Sequence, residues 1–290
     1  MINFIENMQD MGGKVCLVTG ATAGIGKVVA SALAALGATV VLAGRSESKA
    51  MDVVEQIKTD TGNKAVDYLL ADYEDLDQVR QMASDFRERY SRLDVLVNNA
   101  GAFFNRRIVT PYGVEKTFLV NHLAPFMLTN LLLDMLRDSA PARILNVSSD
   151  AHKTGVLDLD DLAYSRGYVG IKGYGRSKMA NILFTTELAR RLEGSGVTVN
   201  ALHPGHVATD IWRTNFSIVG PLLKWFMGLI SLTPQEGADN SIFLATSPEV
   251  EGVSGKYFVK HEAVEPNMDT VGPDAARELW RVSERLTGLS

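Results

Sequence analysis

The chain has 290 residues, 46% of them hydrophobic and 22% charged, enough to bury the core of one large α/β domain and too ordinary in composition for a fibrous repeat or long disorder. Twenty-nine basic and 34 acidic residues give a net charge of −5 with no basic run, so the electrostatic footprint expected of a nucleic-acid partner is missing. Cys16 is the only cysteine, which excludes an intrachain disulfide and a cysteine-cluster zinc site, and its place in the run Val15 to Val18 points to burial.

The first residues, MINFIENMQDMGGK, have neither the basic start nor the continuous apolar stretch of a signal peptide or anchor, so 1–13 reads as an extension and the cytoplasm as the default compartment. From Lys14 onward short β-branched runs alternate with amphipathic helical stretches: KVCLVT, a helix from Gly24 to Leu36, ATVVLA, a helix from Ser46 to Thr59, KAVDYLL, a helix from Asp75 to Tyr90, and LDVLVN. The runs are almost wholly apolar, as expected of parallel strands covered by helices on both faces. A helix from about Gly113 to Arg137, the strand ARILNVS, a helix from Tyr174 to Leu192 and the strand GVTVNAL continue the alternation. A helix near Pro234 to Ala245 and the strand KYFVK complete a mostly parallel, doubly wound sheet of seven strands in one domain over 1–290.

Ligands of such sheets bind beyond the carboxyl ends of the strands, and five of these ends carry polar or glycine-rich sequence: Thr19-Gly20, Asp72, Asn98 to Gly101, Ser148-Ser149 and His203-Pro204-Gly205. After the first strand come Thr19, Gly20, Ala21, Thr22, Ala23, Gly24, Ile25 and Gly26, then a helix. Glycines allow a tight turn and close approach to a pyrophosphate, which the free N–H groups of the helix start favour. After the second strand stand Gly44, Arg45 and Ser46, with no acid before Glu47; an arginine there pairs with a 2′-phosphate and points to NADP(H). Asp72, after the third strand, suits either an adenine amino group or the cap of the following helix. Asn98, Asn99, Ala100 and Gly101, after the fourth, permit close approach to adenosine.

The candidate reacting groups are Asn121, Ser149, Tyr174 and Lys178. A tyrosine that is to act as acid or base near neutrality needs a cation close by, and Lys178 lies one helical turn after Tyr174 on the same face. Ser149 can donate to an oxygen on which charge develops. Asn121 lies in an apolar helix, and Pro125 has no N–H to offer its carbonyl, leaving that carbonyl open to a water linking Lys178 to solvent. The same tyrosine-to-lysine spacing recurs at Tyr168 and Lys172, but Gly170 and Gly173 make a poor helix interior there, so Tyr174 is preferred. His203, His206 and Asp210 are spaced for no helix face and flank Pro204 and Gly205, which argues against a metal site; His122 and His152 read as structural or surface residues.

In order and spacing, TGATAGIG, NNAG, Asn121, NVSS, YGRSK and HPG resemble the short-chain dehydrogenase/reductase family from about Lys14 to Thr209. The resemblance implies a Rossmann-type fold, a catalytic tetrad of Asn121, Ser149, Tyr174 and Lys178, and a segment Pro204, Gly205, Val207 and Thr209 closing over a nicotinamide. It also implies dimer or tetramer contacts through the Tyr174 to Leu192 helix. NVSSDAH, YSRG and ALHPG look like the retinol dehydrogenase branch, whose members act on retinoid and lipid-derived carbonyls with NADPH. The expectation is therefore NADP(H)-dependent interconversion of a carbonyl and an alcohol on a small apolar substrate. The interrupted apolar segment 216–232, within a stretch of about 210–233, reads as a substrate lid, a peripheral membrane contact or core. A redox-sensing dinucleotide binder with incidental turnover is the alternative.

Overall fold

In the computed structural model the described residues are 8–205, 232–268, 272 and 274–289. The early strands fall where the apolar runs place them: β1 Val15–Thr19, β2 Thr39–Gly44, β3 Val66–Leu70 and β4 Val95–Asn98, with helices α1 Gly24–Ala35, α2 Glu47–Thr61 and α3 Leu76–Arg89 between them. β5 Ala142–Val147 and β6 Val197–His203 follow, then β7 Tyr257–Val259 and β8 Glu262–Val264. The strand order is β3-β2-β1-β4-β5-β6-β7-β8, parallel except for the final antiparallel pair. The order reverses between β1 and β4, and the described parts of both loops at that switch point carry the glycine-rich motifs.

Among the described residues the sheet has eight strands where the sequence pattern predicts seven. KYFVK does not run on as one edge strand: Lys260 and His261 take φ of 50° and 68°, turning the chain back so that β8 pairs with β7. Such a two-residue turn with both φ positive normally announces itself through asparagine or glycine, and neither is present here.

Two further boundaries differ. The helix predicted from about Gly113 begins at Lys116 and is broken into α4 Lys116–Phe118, a π turn Leu119–Leu123, α5 Ala124–Leu131 and α6 Leu133–Asp138. A widened turn beside a proline is a local answer to the N–H that Pro125 lacks. The helix expected from Tyr174 starts four residues earlier, as α7 Gly170–Arg191, so both glycines thought unfit for a helix lie within it. They are there for contact. A Cβ at Gly170 would come within 3.0 Å of the Asn105 Cα and the Phe104 carbonyl, and one at Gly173 within 3.0 Å of the Tyr168 ring.

Helices cover both faces of the sheet over two large apolar clusters, one including Leu17, Leu96, Phe126 and Phe184, the other Val18, Leu33, Leu42 and Val97. α8, Pro234–Thr246, packs on α1 and is closed at its start by reciprocal bonds between Thr233 and Glu236. The carboxy-terminal α9, Ala275–Thr287, lies on α7 and α5 and buries Leu279 and Trp280 against them. Cys16 is fully buried in β1, and burial pushes its thiol well above the usual range. Among the described residues no helix is long and apolar enough to cross a membrane.

Candidate active site

The loop between β1 and α1 is shaped by backbone that only glycine accepts readily: Gly20 has φ 64° and Gly24 φ 54°. It is tied to the β4 loop. The buried Thr19 hydroxyl donates to the Val97 carbonyl at 3.2 Å and accepts from the Asn99 and Ala100 N–H groups at 3.0 and 2.9 Å, while Asn99 Nδ2 donates to the Thr19 carbonyl at 2.8 Å. A Cβ at Gly20 would meet the Ala100 Cα at 2.9 Å, and one at Gly26 would meet Asn99 Nδ2 at 2.4 Å. The two glycine-rich motifs thus interlock.

No side chain caps α1: Ala23 stands at its N-cap, and its first turn holds no acid. Its leading N–H groups therefore keep their affinity for an anion, so the loop fits a pyrophosphate. Arg45 is exposed just past β2, and no ion pair joins it to another described residue. Gly44 is required beside it, because a Cβ there would meet the Thr22 methyl at 2.6 Å.

Two of the predicted cofactor positions also bond within the protein. Asn98 is 4% exposed, and its amide donates to Thr129 and Asn146 at 2.9 Å each, tying β4 to β5 and α5 within the core. Asp72 does not cap the helix; Asp75 does, accepting from the Asp77 N–H at 3.0 Å, while Asp72 accepts from the Glu74 N–H at 3.0 Å. Pro204 and Gly205 follow β6 as predicted, with Gly205 at φ 84°. Val207 and Thr209, with the rest of 206–231 and so most of the predicted lid, lie outside the described residues.

The four candidate reacting groups converge from three elements. Tyr174, in the first turns of α7, is 7% exposed, and Ser149, which follows β5, is near enough for its hydroxyl to favour the phenolate by hydrogen bonding. Burial pushes the Tyr174 phenol up to about 12, and the Ser149 bond only partly offsets this. Lys178 is 3% exposed; its Nζ donates to the Val147 carbonyl at 2.9 Å and sits 5.5 Å from the centre of the Tyr174 ring. Desolvation lowers its pKa to about 8. Asn121, in the π turn, is clamped from both ends of its amide: Oδ1 accepts from the Ala102 N–H at 2.7 Å, and Nδ2 donates to the Ala102 carbonyl at 3.0 Å and to the Ser177 hydroxyl at 2.9 Å. The backbone at Gly101 approaches both groups, since a Cβ there would lie 3.4 Å from Asn121 Oδ1 and 3.5 Å from Lys178 Nζ.

The rival tyrosine is elsewhere. Tyr168 precedes α7, and its hydroxyl donates to the Phe104 carbonyl at 2.6 Å and reaches Glu115 at 3.3 Å. Lys172 is exposed on the first turn of α7. Phe103, which no motif singled out, is 5% exposed and meets the Tyr174 ring edge to face at 6.0 Å, and Ser148 of the NVSS run donates to the Lys178 carbonyl at 2.7 Å. Of His203, His206 and Asp210 only His203 lies among the described residues, where it accepts from the Asp150 N–H at 3.4 Å. His122 is core, with Nε2 2.9 Å from the Ser283 hydroxyl, and burial lowers its pKa to about 3.

With this geometry in place, the model of the short chain dehydrogenases matches residues 14–218. The chain belongs to the short chain dehydrogenase family. It lies on the retinol dehydrogenase branch, being 43% identical to human retinol dehydrogenase 14 over 96% of its own length and 88% of the relative's. Human polyprenol dehydrogenase is 40% identical, over 95% and 86% of the two chains. Among solved structures, the NADP active-site complex of Pseudomonas aeruginosa RhlG superposes with a TM-score of 0.71 at 27% identity, covering 88% of this chain and 97% of that one. The protein is an oxidoreductase of this family, acting on alcohol and carbonyl groups with a nicotinamide dinucleotide.

Proposed function

We propose that the protein reduces apolar aldehydes or ketones with NADPH, and oxidises the matching alcohols in reverse, with Tyr174 as the acid and base. The observation that carries this reading is the Tyr174 phenol buried against the Ser149 hydroxyl, with Lys178 beneath it. A phenol held up at about 12 is neutral at physiological pH and so has a proton to give.

When bound, the reduced nicotinamide supplies a hydride to the carbonyl carbon. Tyr174 transfers its proton to the carbonyl oxygen, and Ser149 donates a hydrogen bond that strengthens as negative charge grows there. The phenolate left on Tyr174 is held beside the Lys178 ammonium until it regains a proton from solvent. Asn121 keeps Ala102, and with it the Gly101 backbone, against Lys178. The free N–H groups of α1 would receive the pyrophosphate, and Arg45 would pair with a 2′-phosphate, which supports NADP(H) over NAD(H).

The substrate class rests on the relatives, whose names carry two isoprenoid alcohols, retinol and polyprenol. The aromatic face of Phe103 beside Tyr174 suits such a chain. Following NADPH consumption with a panel of apolar aldehydes and ketones, all-trans-retinal included, tests the proposal. Turnover is expected on apolar members; NADPH binding with no turnover on any of them would overturn it.

A further inference from the structure

Ser149 must present its hydroxyl to Tyr174, yet it sits at the start of a single 3-10 turn, Asp150–Thr154, a weak element by itself. The turn is reinforced from His152. The Ser149 carbonyl accepts two hydrogen bonds from that one residue, from its main-chain N–H at 3.0 Å and from the ring at Nδ1, 2.8 Å away. A ring nitrogen facing a carbonyl must carry a hydrogen, so the bond selects the Nδ1–H tautomer and leaves Nε2 as a bare acceptor.

His152 is fully buried, and burial keeps its pKa below the ordinary histidine value, with Lys153 pushing the same way. Its ring packs edge to face on Tyr257 of β7, 5.2 Å between centres, and among the described residues neither His152 Nε2 nor the Tyr257 hydroxyl, both buried, has a hydrogen-bond partner. The turn is also seated on α7 by glycine contact: a Cβ at Gly175 would come within 2.5 Å of the Ala151 carbonyl, and one at Gly155 within 2.7 Å of the Gly175 carbonyl. Gly175 adjoins Tyr174, so the turn and the tyrosine meet through one close backbone contact.

We propose that His152 is a positioning residue for the reaction, its Nδ1–H gripping the Ser149 carbonyl so that the Ser149 hydroxyl stays against Tyr174 during hydride transfer. The inference rests on the reading of Ser149 and Tyr174 given above. Without the ring bond the turn keeps its main-chain bond to Ser149 and the Ala151 N–H bond to the Ser149 hydroxyl, so the fold survives while the Ser149 backbone, held by one bond fewer, gains freedom to carry the hydroxyl out of place.

His152→Leu removes the donor at similar volume, and His152→Asn returns an amide N–H near the Nδ1 position. The leucine variant should lose roughly 10- to 100-fold in kcat, the scale of a small misplacement at a reacting centre, while NADPH affinity by fluorescence and KM change little. The asparagine variant should recover most of the loss. A leucine variant with kcat close to the parent's, or one whose kcat and NADPH-binding stoichiometry fall together, overturns the inference. Crystal structures of the parent and both variants decide it independently of turnover. Ser149 Oγ drawn away from Tyr174 in the leucine variant alone supports it, and Ser149 unmoved there overturns it. A parent inactive on every carbonyl overturns instead the function proposed above.

Discussion

Lys178 Nζ bonds the Val147 carbonyl at 2.9 Å and lies 5.5 Å from the centre of the Tyr174 ring, so its charge is fixed under the tyrosine by the end of β5 rather than by the tyrosine itself. The spacing of four residues puts the two side chains on one face of α7, but what orients the lysine is a strand on which neither residue lies.

Burial of that ammonium is costly in the cofactor-free protein. With a folded pKa of about 8 against an ordinary 10.5, Lys178 takes up fewer protons when folded between those values, so its contribution to stability rises with pH across that window. Lys178→Met should abolish turnover yet stabilise the cofactor-free chain at pH 7 by on the order of 1 to 3 kcal/mol. The Val147 carbonyl keeps the Asn181 amide at 3.3 Å. Thermal unfolding of both proteins from pH 7 to 10.5 checks this; the gap between them should narrow as pH rises, and a constant gap would refute the assignment.

The two tyrosines should separate cleanly. Tyr174→Phe is expected to bind NADPH normally and lose at least about a hundredfold in kcat, in keeping with removal of a positioned general acid. Tyr168→Phe loses the bonds to Phe104 and Glu115 but should keep activity within a few-fold. Steady-state kinetics on one apolar aldehyde suffice, and a fully active Tyr174→Phe would remove the proposed acid.

Arg45 carries the cofactor preference. The parent should favour NADPH over NADH in kcat/KM, and Arg45→Ala should shrink that ratio by about 10- to 100-fold, the loss of one or two charge-assisted bonds to a phosphate. Equal kcat/KM for the two cofactors in the parent would sink the preference.

Stability depends on a carboxylate at the far end of the sheet. Asp94 is 2% exposed and accepts from the Val15 N–H at 2.9 Å, from Lys14 at 3.0 Å and from Arg92. Burial alone would raise its pKa; the Arg92, Val15 and Lys14 bonds outweigh that and hold it below the usual value of 3.8. Its contribution is therefore present above pH 4 and lost as the pH falls through the depressed folded value. Asp94→Asn should lower stability by about 2 to 4 kcal/mol at pH 7, measured by urea unfolding, and by less in acid. A variant as stable as the parent at pH 7 would show the cluster to be neutral.

Much of this was legible along the chain. The period of the apolar runs places the parallel strands and their helices, because a strand covered on both faces must be apolar throughout, and the glycines of the first loop mark its tight turn because Gly20 and Gly24 take φ that only glycine accepts readily. The residues Tyr174, Lys178, Ser149 and Asn121 could each be named from local chemistry. What local chemistry leaves open is where a side chain's hydrogen bonds go. Asn98 and Asn99 are neighbours of the same type; the fold turns the first into the core and uses the second to tie two loops together. Gly170 and Gly173 read as helix breakers, yet lie inside α7 because Phe104, Asn105 and Tyr168 press against them. His152 is one residue in a loop until β7 brings Tyr257 to its ring. Helix and strand periods are properties of the backbone and travel with the sequence, whereas burial, pKa and partner choice come from contacts between residues distant along the chain, and only the folded chain decides those.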